Sequence, residues 1–182
     1  MKKNSSLSFL LVSGLLGMLL VMGCTGNRKR ITSNGLHHLQ LGDPLPPAGI
    51  DHLRGHGVRD TFVEQGDYQW REVVMDYRKG KVYLEGDFID SQELSRVRIY
   101  TPELSLRNGL HVGMAVQDLL PKASDWTLVP FPDRNLIEAY SRTMPRIHFL
   151  IDDPRIPKTG NWEDYKIEQL DPAAKIAIIV VF

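Results

Sequence analysis

The chain predicts an α+β protein that is mainly antiparallel β-sheet with one or two short helices, and three observations lead there. Apolar residues recur at every second position over 70–77, 82–88 and 96–101, the spacing of a strand with one buried face. The run Lys175-Ile176-Ala177-Ile178-Ile179-Val180-Val181-Phe182 is nearly continuous and β-branched, as in a central strand covered on both faces. Only two segments, each opening on an apolar-glycine turn, have room for a helix, and both are short.

Residues 1–23 stand apart from the rest. Lys2 and Lys3 precede an apolar run from Leu7 to Val21 that is broken by Ser13, Gly14 and Gly17, the pattern of a secretory leader. The run is too short and too glycine-rich for a good membrane span, which needs about 20 apolar residues. Residues 24–34 are polar and without apolar period, and are expected to form a flexible tether. The remainder, 35–182, is expected to be a single β-rich globular domain, with duplication into two related halves, 35–108 and 109–182, as a further reading.

Within the domain, Leu39-Gln40-Leu41 reads as a short strand. It leads into a helical turn with Asp43 as N-cap and Pro44 at the first helical position. Residues 50–66 carry glycine, histidine and charge with little apolar content and read as loop. From Trp70, Val73, Met75 and Tyr77 point one way and Glu72 and Asp76 the other. Arg78-Lys79-Gly80 then turns the chain into a returning strand through Val82, Leu84 and Phe88. In the next strand Val97 and Ile99 face the core, so Arg96 and Arg98 face outward together as a small basic stripe.

The second half opens with a short helix over 113–121 that buries Val116, Leu119 and Leu120. A strand at 126–129 is stopped by Pro130 and Pro132, and Pro132-Asp133-Arg134-Asn135 supplies turn chemistry. Strands over 136–143 and 147–151 follow. A long polar excursion, 152–174, separates them from the closing strand. The segments Leu41-Gly42-Asp43-Pro44-Leu45-Pro46 and Val112-Gly113-Met114-Ala115-Val116 share a design, an apolar residue before glycine and another three positions after it, which is the basis for reading a duplication.

Composition narrows the function. The leader removes two lysines and no acid, leaving 20 basic against 22 acidic side chains, so no nucleic-acid partner is expected. Cys24 is the sole cysteine, which excludes a disulfide framework and a thiolate zinc site. Gly-x-Ser-x-Gly, Ser-x-x-Lys, His-Glu-x-x-His and Gly-x-x-x-x-Gly-Lys are all absent. His52 and His56 have the spacing of helical metal ligands, but Gly55 and Gly57 argue against a helix there. No catalytic residue, metal or cofactor is assigned. Asp152, Asp153, Glu163, Asp164 and Asp171 crowd the 152–174 loop. Trp162 and Tyr165, with Trp126 and Phe131, read either as an aromatic binding surface or as buried anchors.

The tetrapeptide Val21-Met22-Gly23-Cys24 resembles the lipobox of bacterial lipoproteins. That resemblance implies a signal peptide cut before Cys24, acylation of Cys24 by palmitate-class chains, and anchoring to a lipid bilayer. The absence of an acidic residue directly after Cys24 implies the periplasmic face of the outer membrane. The two apolar-glycine segments, Val112-Gly113-Met114 with Val116 and Leu119-Leu120, and Leu41-Gly42-Asp43 with Leu45, resemble those of the small outer-membrane accessory lipoproteins of barrel assembly and the fold of β-lactamase inhibitor proteins. The function expected is that of a non-enzymatic envelope lipoprotein that binds or scaffolds another envelope protein, with Arg96, Arg98, Trp162 and Tyr165 as candidate contacts. The alternative is an envelope hydrolase or glycan-binding protein using the acidic loop 152–174.

Overall fold

In a computed structural model of the protein, residues 30–90, 92–156 and 166–182 are described. A three-stranded antiparallel sheet, β1 (Ile31–Thr32), β2 (Gly35–Leu36) and β3 (Leu39–Gln40), opens the fold. Nine strands follow: β4 (His52–Leu53), β5 (His56–Gln65), β6 (Tyr68–Tyr77), β7 (Gly80–Gly86), β8 (Leu94–Ile99), β9 (Trp126–Phe131), β10 (Leu136–Ser141), β11 (Met144–Asp152) and β12 (Lys175–Val181). They form one sheet in the order β4-β5-β6-β7-β8-β12-β11-β10-β9. Strands β5 to β8 and β9 to β12 are two four-strand meanders, joined where β8 pairs antiparallel with β12.

Alternation sorts the side chains. Val73 and Met75, Val82 and Leu84, Val97 and Ile99, Ile147, Phe149 and Ile151, and Ile179 and Val181 share the core face and are buried. The connecting segments cover them with Leu36, Leu45, Leu104, Leu110, Val116, Leu119, Ile156 and Leu170. Burying the charged Arg71 on this side requires full pairing. Its guanidinium donates to both oxygens of Asp60 at 2.8–3.2 Å, to Gln92 Oε1 at 3.1 Å and to the Pro46 carbonyl.

Several sequence expectations are corrected. Helix is scarcer than an α+β description implies: among the described residues the only α-helix is one turn, α1 (Val116–Leu119), followed by a 3-10 turn at Leu120–Lys122. Val116 and Leu119 are buried as expected, and Pro121, lacking an N–H, cannot extend the helical ladder. Asp43 caps no helix; its carboxylate accepts the Gln40 N–H at 2.8 Å, and Pro44 bridges to Glu93. Residues 50–66 are not loop but contain β4 and β5. The ten residues of β5 are mostly exposed on both faces, so they carry no apolar period and are held by their ladder to β6. Residues 30–34, expected to belong to a flexible tether, are part of the fold: Ile31 is buried in β1 and Arg30 bridges to Ser105. Pro130 does not stop β9 but lies inside it, at the sheet edge where a missing N–H is tolerated.

The two apolar-glycine turns make the same hydrogen bonds. Gly42 N–H donates to Leu94 O at 2.8 Å, Leu94 N–H to Asp43 O at 2.9 Å, and Leu45 N–H to Gln92 O at 2.6 Å. Likewise Gly113 N–H donates to Ile176 O at 2.7 Å, Ile176 N–H to Met114 O at 2.9 Å, and Val116 N–H to Ala174 O at 2.8 Å. Both glycines need positive φ, 87° and 90°. Each turn thus pins the start of the fourth strand of a meander, β8 or β12.

Candidate functional site on the open face of the sheet

The face turned away from the core carries the residues of opposite parity. At its centre Glu85, with a side chain only 1% exposed, accepts from Arg96 Nε at 2.6 Å and from Arg96 Nη2, and meets Arg98 Nε. Arg98 Nη2 reaches across to Glu72 Oε2 at 2.6 Å. The carboxylates lie beneath, while the guanidiniums remain 33% and 31% exposed at Arg96 and Arg98. Burial lifts the Glu72 carboxyl above its usual range against the opposing pull of Arg98. For Arg98, burial works against its charge, but the Glu85 and Glu72 carboxylates outweigh it and raise its pKa. Burial likewise raises the Tyr100 hydroxyl.

A cavity of about 400 Å³ lies over this centre. Val63 of β5 and Phe131 of β9 both line it, although the sheet order places six strands between theirs. Flat strands at ~4.8 Å spacing would hold them roughly 34 Å apart, so the ends of the β5–β6 and β9–β10 hairpins curl toward one another over the face. An adjoining hollow of about 220 Å³ is bounded by Glu85, Ser95 and Phe88, and it shares Trp70, Arg96 and Phe182 with the first. Trp70 is 6% exposed, packs edge-on against Phe88 with centroids 5.6 Å apart, and its Nε1 has no hydrogen-bond partner among the described residues. Tyr68 also meets Phe88, at 5.5 Å. Beyond them Ile89 is 98% exposed, Phe131 is exposed at the other rim, and Phe182 is exposed between the two. On the same face His148 Nδ1 lies 2.7 Å from Glu138 Oε1, between the rings of Tyr140 and Phe182.

The structure places Arg96 and Arg98 on one face, as their parity requires. The expected basic stripe is corrected to an ion-paired cluster, because Glu72 and Glu85 on the neighbouring strands are buried against it. Cys24, Trp162 and Tyr165 lie outside the described residues, as do Glu163 and Asp164. Trp126 and Phe131 do not share a surface. Trp126 packs edge-on against the core residue Phe149, 5.9 Å between centroids, whereas Phe131 opens onto the cavity. In the acidic loop, Asp153 is buried and accepts the backbone N–H groups of Arg155 and Asp171, both at 2.9 Å. Arg155 in turn contacts Asp171 at 3.1 Å. These carboxylates hold the loop's own backbone. His56 stacks on Tyr77, with centroids 3.8 Å apart, and Leu53, not His52, is its partner across the β4–β5 ladder.

Sequence reasoning missed Trp70, Phe88 and Phe182 as site residues. The available signal was the outward parity of Leu150, Ile178 and Val180, which are apolar where a solvated face would be polar.

No family model matches the chain, and no curated protein matches its sequence. Among solved structures, the fold is similar to that of the uncharacterized protein yfeY from Escherichia coli, with a TM-score of 0.59 over 84% of this chain and 98% of that one at 17% identity. The likeness is therefore one of fold alone.

Proposed function

We propose that the chain is a non-enzymatic bacterial envelope lipoprotein, acylated at Cys24 and held at the periplasmic face of the outer membrane, that binds or scaffolds another envelope protein through the open face of its sheet. The observation that carries the partner reading is the exposed aromatic and aliphatic rim of that face: Tyr68, Phe88 and Ile89 on one side, Phe131 on the other, and Phe182 between them. Large apolar side chains gathered around a groove mark interaction sites more often than free surface does. The Arg96 and Arg98 guanidiniums between them add orientation, since Glu85 and Glu72 fix their geometry. The matching hydrogen bonds of the two glycine turns support the further reading that the domain is a duplicated unit.

Two independent measurements test this. A photo-crosslinking residue at Phe88 or Phe131, in the natural host, is expected to give a discrete protein adduct that the same residue at Asp118, on α1, does not give. Equal labelling from all three positions refutes the docking face. Metabolic labelling with a palmitate analogue is expected to mark the chain and to be lost in Cys24→Ser; labelling that persists refutes the anchor.

A further inference from the structure

The seam between the two meanders is symmetric about one residue pair. Arg98 lies opposite Val180, Val97 opposite Val181 and Ile99 opposite Ile179. Following the ladders outward from this seam, Glu85 pairs with Arg96 as Leu150 pairs with Ile178, and Glu72 pairs with Glu85 as Glu138 pairs with Leu150. The register thus sets Arg96 in correspondence with Ile178, Arg98 with Val180, and Glu85 with Leu150. The cavity of about 400 Å³ sits astride this axis, and both members of the first two pairs line it. Its two sides have opposite chemistry. Over β8 it presents two guanidiniums whose counter-carboxylates lie beneath them, so the exposed N–H groups of an ion-paired cluster face the cavity. Over β12 and β11 it presents Ile178, Val180 and Leu150, bordered on the β10 side by Leu136 and Glu138 and at the hairpin by Arg134. Its volume lies within the roughly 300–1,000 Å³ of small-molecule sites.

We propose that this cavity binds a single-chain anionic amphiphile lying across the seam, its carboxylate or phosphate head against Arg96 and Arg98 and its acyl chain along Leu150, Ile178 and Val180. Three observations converge on that occupant. At corresponding positions across the seam the lining is guanidinium on one side and aliphatic on the other, which fits a ligand with two unlike ends. The Trp70 indole N–H, buried in the wall and without a hydrogen-bond partner among the described residues, is a donor in want of an acceptor. Phe131 borders the aliphatic side and Phe182 stands at the seam, its ring centroid 5.9 Å from Arg96 Cζ, where the two rings would shield a chain from water. The site needs no protein partner, so its test is separate from that of the docking rim.

The experiment uses the full chain carrying Cys24→Ser, kept free of detergent, with dodecanoate, a lyso-phosphatidylglycerol of the same chain length, and dodecanol titrated by calorimetry. Saturable one-to-one binding of dodecanoate or of the lysophospholipid is expected, and the tighter of the two identifies a free fatty acid or a phospholipid as the source of the head. Dodecanol is expected to bind at least tenfold more weakly; equal binding overturns the anionic head. Arg96→Gln and Phe182→Ser are each expected to weaken binding at least fivefold while near-ultraviolet circular dichroism stays that of the parent. If Arg96→Gln fails to fold, Phe182→Ser, at a partly exposed rim position, decides alone. The proposal is overturned if neither charged probe binds saturably, or if folded variants bind as tightly as the parent.

Discussion

Glu85 is the point on which the charged centre of the open face depends, and replacing it by glutamine tests that dependence. The side chain is 1% exposed and meets both Arg96 and Arg98. Glu85→Gln keeps the shape but leaves Arg96 without a carboxylate and Arg98 with Glu72 alone. Removing one member of a buried ion pair costs about 3–5 kcal/mol. Both guanidiniums are about a third exposed, so water relieves part of this, and we expect a loss of about 2–3 kcal/mol. With a urea dependence of ~2 kcal/mol per molar, the unfolding midpoint should fall by about 1–1.5 M. A double-mutant cycle with Arg96→Met, monitored by tryptophan fluorescence, should give a coupling of about 1–3 kcal/mol. A Glu85→Gln midpoint within ~0.2 M of the parent would refute the claim that this carboxylate holds the two arginines.

Two further outcomes are expected. At Gly80, φ is +147° and an added Cβ would fall on the Tyr100 carbonyl, 2.9 Å from its carbon. Gly80→Ala should therefore cost about 2–4 kcal/mol, combining backbone strain with a clash against main chain. Gly66→Ala, at φ +60° with nothing within 4 Å, should cost only ~1 kcal/mol; equal losses of melting temperature would contradict the contact argument. Burial, reinforced by the Arg54, His37 and His56 charges, lowers the His38 pKa from 6.5. Folding therefore favours the neutral ring, and its contribution, present above pH 6.5, is lost as pH falls through the lowered folded value. His38→Gln should flatten that limb of the curve of melting temperature against pH, and parallel curves for parent and variant would rule out the linkage.

Strands β6, β7 and β8 were legible because each buries one face deeply and a period of two survives wherever burial selects side chains, whereas β12 was legible from its continuous β-branched run. Strand β5 was not legible for the converse reason: its exposed positions hold Arg59, Thr61, Phe62 and Glu64 without pattern, and what fixes it is backbone pairing with β6. Pro130 was misleading because edge position, which a proline tolerates, is set by topology. The site was half legible. Parity puts Arg96 and Arg98 together, but their neutralisation by Glu72 and Glu85 depends on which strands neighbour β8. Carboxylates that alternate outward on a strand look solvated until the pairing order is known. The aromatic rim gathers residues from β6, the segment after β7, β9 and the residue after β12, and no local spacing links them.

The sheet order has a consequence for how the molecule is made. β12 is the latest of the nine strands in the chain, yet it stands between β8 and β11. Until it emerges during synthesis, β8 and β11 each offer a bare ladder to any passing strand, and the two meanders have nothing to join them. Closure must therefore follow translation of the final strand, and a chain shortened by those seven residues would retain two incomplete sheets prone to self-association.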